Sequence, residues 1–175
     1  MNTISLLRDQ LKQSHGFLEM VMNDVTPEQA QWTPPGIANP LGATYAHLVM
    51  GEDGFVNGML KGSAPLMAGA WAGKTGLSEL PPSAPGESWH QWGLRVQVDL
   101  GTLRQYAQAV YAASDQYLAS LADGDLTRPI DLTGFGLGNQ TLAWCLSNGV
   151  LGHVYGHFGE IACLKGLQGA KGYPF

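Results

Sequence analysis

Two histidines four residues apart suggest a metal site near the end of the chain. His153 and His157 stand in the segment His-Val-Tyr-Gly-His, and in a helix this spacing places both imidazoles on one face. Two rings placed in this way can bind one ion through bonds of about 2.0 to 2.1 Å. Glu160 follows on the same face and is the only charged residue between Asp131 and Lys165. A carboxylate in such a segment is costly to bury without a partner, and the histidines would provide one.

A third ligand must come from another helix, and His47 is the best candidate. Steps of four, three and four residues from His47 reach glycines only, so this face of the helix is bare backbone. The last predicted helix carries a comparable row of glycines. Such rows either let two helices pack closely, which is the more common use, or leave an opening for a substrate. The two rows are Gly51, Gly54 and Gly58, and Gly149, Gly152, Gly156 and Gly159.

Three neutral imidazoles around one ion leave coordination positions open, as in a catalytic metal site. The ion would lower the pKa of a bound water toward about 7 and would deprotonate a coordinating thiol. Glu160 then either acts as a general base or orients a ligand, or it is an acceptor that holds one histidine tautomer. Imidazole ligands suit several divalent ions, of which we expect Zn or Ni.

Four long helices are predicted to position these residues. Apolar residues at helical spacing, together with start and stop signals, predict helices over residues 3–23, 41–60, 89–122 and 140–168. The capping-box pattern from Thr26 to Gln29, with proline at the first helical position, predicts a short helical turn after the first helix.

The connections between these helices complete the predicted fold. Residues 61–87 are rich in Gly, Ala, Ser and Pro and predict a long loop, whereas residues 126–139 predict a small hairpin. The expected fold is therefore all-α: a four-helix bundle with a long loop between helices 2 and 3 and a small hairpin before helix 4. We expect residues 1–175 to form a single domain.

The composition argues against several classes of function. Only 13% of the 175 residues are charged and the formal net charge is −5, so the chain has no basic stripe for nucleic acid. The uncharged run from residue 132 to 159 contains too many polar side chains for a membrane span. The first residues also lack the apolar core of a signal peptide. We therefore expect a soluble, cytoplasmic protein with no nucleic-acid and no membrane partner.

Other reactive side chains have less specific patterns. His15 lies on the apolar side of the first helix and is predicted to be a buried core histidine, whereas His90 is predicted to be solvated. Asp99 is predicted to form a salt bridge at the edge of an apolar stripe, with a role in the site as the alternative. Cys145 and Cys163 are predicted to be small buried hydrophobic residues. Three tryptophans flank the long loop and either pack in the core or an interface, or line a pocket: Trp71, Trp89 and Trp92.

The arrangement resembles the DinB-like superfamily, which includes bacillithiol S-transferases and mycothiol-dependent maleylpyruvate isomerases. The resemblance rests on His47 followed five residues later by Glu52, and on a late His-x-x-x-His at His153 and His157. It implies a metal centre on these three histidines, a low-molecular-weight thiol and a homodimer. In many members Arg-Gly-Gln follows the second histidine, whereas Phe-Gly-Glu stands here, with Glu160 in the last place.

The resemblance and the residues together favour a divalent-metal-dependent enzyme that activates a thiol or water toward a small-molecule substrate. A thiol-dependent S-transferase or isomerase, or a hydrolase, would fit this chemistry. Two alternatives remain open at this point. In the first alternative, the protein is a non-catalytic metal-binding or ligand-binding bundle. In the second, the histidines are unliganded core residues of the bundle. One scaffold can host many chemistries, so family resemblance alone does not decide among them.

Overall fold

The computed structural model describes residues 2–82, 88–173 and 175, and these are mostly helical with a small two-stranded sheet. Four helices have uniform α-helical geometry. They are α1 (Thr3–Met22), α2 (Pro27–Gln31), α4 (Trp89–Arg95) and α5 (Leu100–Ala119). Residues 83–87, at the end of the predicted long loop, lie outside the described residues.

Two further long helices change geometry along their length. Helix α3 is α-helical over Leu41–Glu52 and π-helical over Asp53–Leu60. Helix α6 runs through Leu142–Trp144, a π-helical stretch at Cys145–Gly152, and a final α-helical part at His153–Leu167. π-helical turns are rare and often lie at functional sites, and here they occur in the two helices that carry the three histidines.

Side-chain caps set the starts of several helices. Thr26 and Gln29 form the predicted capping box at the start of α2, where Pro27 occupies the first turn. Ser88 and Gln91 form a second box at the start of α4. Each box satisfies backbone N–H groups that have no partner within the helix, so these local signals define the helix starts.

The predicted single helix over residues 89–122 is wrong, because the chain leaves helical geometry between α4 and α5. Val96 has extended backbone angles, and Val98 forms an isolated antiparallel bridge with Leu77. Asp99 caps α5 by accepting hydrogen bonds from the backbone N–H and the hydroxyl of Thr102. Asp99 forms no salt bridge with any of the described residues, so that prediction is also wrong. The apolar spacing continues across the break because buried residues flank it on both sides.

The four longest helices, α1, α3, α5 and α6, pack around a shared apolar core. Helix α1 contacts α5 and α6, and α3 contacts the same two helices. Fully buried side chains from all four fill the interior, including Leu18, Tyr45, Leu48, Leu103 and Ile161. In the described ranges, no helix is long and apolar enough to cross a membrane.

A short antiparallel hairpin precedes α6, where the sequence predicts one. Strand β1 (Pro129–Asp131) pairs with β2 (Asn139–Thr141), and Ile130 lies opposite Gln140. The Thr141 side chain then caps the start of α6 by accepting a hydrogen bond from the backbone N–H of Trp144. The hairpin thus leads directly into the helix that carries two of the candidate ligands.

A buried carboxylate fastens the start of the long connection to α3. Asp53 is fully buried, and its two oxygens accept hydrogen bonds from four groups. The donors are the Asn57 amide, the backbone N–H groups of Leu66 and Met67, and the Tyr106 hydroxyl. A buried charge needs such partners, and here they hold the turn at Leu66–Ala68 against the helices.

Candidate metal centre

The three predicted histidines lie together between two helices. His47 comes from the α-helical part of α3, and His153 and His157 come from the first turns of the final part of α6. One ring nitrogen from each can be chosen so that all three atoms lie within 4.8 Å of one another. This group could hold a metal ion, and its members are half-buried.

The spacing of the ring nitrogens fits a shared ion. The Nε2 atoms of His47 and His153 are 3.1 Å apart. Two nitrogen ligands of a tetrahedral ion with bonds of about 2.0 to 2.1 Å lie about 3.3 Å apart, which is close to this distance. The Nδ1 atom of His47 is buried and has no hydrogen-bond partner among the described residues, so the protein does not determine the tautomer of this ring through Nδ1.

Glu160 makes a hydrogen bond to the Nδ1 atom of His157, the third histidine of the group. The Nδ1 atom of His157 lies 2.6 Å from Oε2 of Glu160 and donates to this carboxylate. In the neutral tautomer that makes this bond, Nε2 is the nitrogen available to a cation. Many metal-binding histidines are oriented by a carboxylate in this way. The hydrogen bond from His157 also lowers the pKa of Glu160, so this carboxylate is ionised at neutral pH.

Burial keeps two of the rings neutral. The pKa of His47 is lowered to about 4, first by burial and then by the neighbouring histidines. The pKa of His153 is also lowered to about 4, by burial and by His157. Both rings are therefore unprotonated at neutral pH, which is the form that binds a metal ion.

A small cavity of about 90 Å³ is lined by His47, His157 and Glu160. Asn39 and Thr44 contribute to its lining, and neither residue is predicted by the sequence patterns described above. The signal for Thr44 is its position three residues before His47, which places both on one helix face. Trp89 also lines this cavity, and its ring packs edge-on against His47 with centroids 4.3 Å apart.

The glycine rows contain one position of close helix packing and two positions that line a cleft. A Cβ atom at Gly149 would lie 2.9 Å from Cε1 of Phe55, so this position is needed for close packing of α3 against α6. Gly51 lies against His153, where a Cβ atom would be 3.4 Å from Cε1. Gly51 and Gly54 also line an apolar cleft beside the histidines.

The remaining candidates lie outside the histidine group. His15 is buried as predicted, and its Nε2 atom is 2.8 Å from Oε2 of Glu52. Glu52 also accepts a hydrogen bond from the hydroxyl of Ser114, so its hydrogen bonds go to α1 and α5. His90 is half-buried against Asn39 and not simply solvated.

The two cysteines differ in exposure. Cys145 is buried, as predicted for a small hydrophobic residue, whereas Cys163 is exposed and its predicted burial is wrong. Neither is among the residues that meet at the histidine group.

A sequence model described as the DinB superfamily matches residues 10–161, so the chain belongs to this superfamily, as the resemblance predicts. No curated protein matches the chain significantly.

A solved structure shares the fold. It is described as "Crystal structure of the conserved protein of locus from Enterococcus faecalis" and superposes with a TM-score of 0.80. The two sequences are 20% identical, and the alignment covers 95% of this chain and 97% of the other. At this identity the likeness concerns the fold alone.

Proposed function

We propose that the protein is a divalent-metal-dependent enzyme whose ion is held by His47, His153 and His157. The observation that carries this proposal is the convergence of three ring nitrogens, from two helices, within 4.8 Å. Three imidazoles suit Zn or Ni and leave coordination positions for a small molecule. When bound, such an ion supplies a Lewis acid that lowers the pKa of a thiol or water.

The reaction that we favour uses a low-molecular-weight thiol, in an S-transfer or an isomerisation, and hydrolysis by water is the alternative within the same chemistry. Membership of the DinB superfamily supports this choice. The neutral state of His47 and His153 supports the ligand role of the histidines, because protonated imidazoles do not bind metal. We further propose a four-helix bundle in one domain, residues 1–175, that acts as a cytoplasmic homodimer.

Glu160 has a positioning role in this proposal. It accepts a hydrogen bond from Nδ1 of His157 and so orients that ring with Nε2 as the nitrogen left for the ion. Its side chain retains 37% exposure, so a small molecule in the adjoining cavity can reach the carboxylate. The proposal that Glu160 also acts as general base rests on this exposure.

Metal content and turnover test the proposed function directly. Protein purified without a polyhistidine tag is expected to contain about one divalent ion per chain. It is also expected to consume 1-chloro-2,4-dinitrobenzene with at least one of several thiols, and a chelator should abolish this activity. Bound metal without turnover of the thiol substrates or of an activated ester would favour the non-catalytic alternative. A chain without metal affinity would contradict the proposal.

Substitution of Glu160 by glutamine separates its two roles. If the carboxylate orients His157, metal affinity should fall by about 10- to 100-fold, as is typical when an outer partner of a ligand is lost. If it is a general base, metal affinity should stay and turnover should fall by about 10²- to 10⁴-fold. Glu28→Gln, at the exposed start of α2, is the matched control and should change neither. Unchanged affinity and turnover in Glu160→Gln would contradict both roles.

A further inference from the structure

A wide apolar cleft of about 680 Å³ opens beside the three histidines. Its walls come from α3, the turn at Leu66–Ala68, and side chains of the loops that face them. None of the described lining residues is charged. Sulfur and aromatic groups dominate, and the main lining side chains are Met50, Phe55, Met59, Met67, Trp89 and Phe135.

The cleft adjoins the histidine group at two points. Gly51 lines the cleft and also lies against His153, so no side chain separates the cleft from this ring at that position. Trp89 lines the cleft and contacts His47 through its ring edge. Because Gly51 has no side chain, a molecule in the cleft can approach the Cε1 edge of His153 at this point.

One wall of the cleft is held by hydrogen bonds, and the space next to Gly54 is open. Asp53 accepts hydrogen bonds from the backbone N–H groups of Leu66 and Met67, each at 2.9 Å, and so holds that wall in place. On the facing helix, the one atom of the described residues that a Cβ atom at Gly54 would meet is Cε of Met67, at 3.7 Å. A larger side chain at Gly54 would therefore occupy space that is now open.

Large apolar side chains remain exposed at the mouth of the cleft. Phe135 is 64% exposed and Leu80 is 54% exposed, and both line it. An apolar ligand would cover part of this surface, which is favourable, and flexible methionines adapt to ligand shape. A charged ligand would lose its hydration against walls that offer no opposite charge among the described residues, which is costly.

We propose that this cleft binds an uncharged, low-molecular-weight ligand with an aromatic or branched aliphatic body, whose polar end reaches the three histidines. The volume is within the range of pockets for small molecules. The reactive part of this inference rests on the proposed function, in which the ligand is the electrophilic substrate. The binding part does not depend on the metal ion.

Fluorescence titration with the uncharged probe N-phenyl-1-naphthylamine tests the binding part. Full-length protein is expected to bind about one probe per chain saturably, and Gly54→Leu should weaken this binding at least tenfold. The matched control is Gly16→Leu, at an exposed glycine of α1 with open space around it, which should bind as the unchanged protein does. Equal losses in the two variants, or no saturable binding, would overturn the proposal.

Three further measurements keep the test decisive if Gly54→Leu folds poorly. Met59→Glu introduces a charge at a partly exposed position of the lining, so it should fold and still weaken probe binding several-fold. Chelator-treated protein should bind the probe within twofold of the untreated protein, and an anionic naphthalenesulfonate should bind at least tenfold more weakly than the neutral probe. Binding without metal supports the cleft even if the proposed function fails, whereas equal binding of the two probes contradicts the proposed ligand class.

Discussion

Replacement of His47 by alanine is expected to reduce bound metal from about one ion per chain to less than about one tenth. His47 is the only member of the group that α3 contributes, so the two remaining rings come from neighbouring turns of α6. Even an outer partner of a ligand contributes about 10- to 100-fold in affinity, and loss of a ligand should cost at least as much. Metal analysis after dialysis and competition with a chromophoric chelator would measure the change.

His90→Ala provides the matched control for this experiment. His90 also lies near the site, but its Nδ1 atom bonds to Asn39 and it is not a member of the histidine group. We expect this variant to retain its full metal content. Retention of metal by His47→Ala, or equal loss in the two variants, would contradict the assignment of His47 as a ligand.

Replacement of Asp53 by alanine is expected to cause a large loss of stability. The substitution removes the acceptor of four hydrogen bonds in the interior. Buried donors left without partners cost about 1 to 3 kcal/mol each before relaxation, so we expect a loss of about 3 to 5 kcal/mol. Urea denaturation followed by circular dichroism would measure the free energy of unfolding.

Two further variants test whether the loss of stability comes from the buried carboxylate of Asp53. Asp53→Asn keeps the shape and one carbonyl oxygen, so it should retain part of the stability. Asp131→Ala removes an exposed carboxylate that accepts hydrogen bonds from Thr133 and should have only a small effect. A loss at Asp53→Ala no greater than that at Asp131→Ala would show that the buried carboxylate does not anchor the turn at Leu66–Ala68.

The histidine group could be predicted because the sequence directly shows the four-residue spacing of His153 and His157 and the isolated charge of Glu160. The same reasoning could have found Asp53, since Glu52 and Asp53 are the only charged residues between Glu28 and Lys61. Its partners could not be predicted in this way, because Tyr106 lies 53 positions further along the chain. Contacts of this kind depend on how the helices pack.

The errors have a different physical origin. The break between α4 and α5 was missed because apolar residues at Trp92, Val96 and Leu103 are buried on both sides of it, as they would be in one continuous helix. Asp99 was the available sequence signal for this break, because aspartate is a favoured capping residue at the start of a helix. Cys163 lies between buried neighbours but is exposed, because the packing of α6, and not composition, decides which face meets solvent.

The two π-helical stretches are places where related proteins can differ in length without moving the histidines. An α-helix that gains one residue can absorb it as a wider turn, without moving the segments on either side. Asp53–Leu60 follows the turn that carries His47, and Cys145–Gly152 ends immediately before His153. Relatives that are one residue shorter or longer in these stretches could therefore keep their histidines in place. Alignments of the superfamily should allow gaps there and not treat them as a loss of the site.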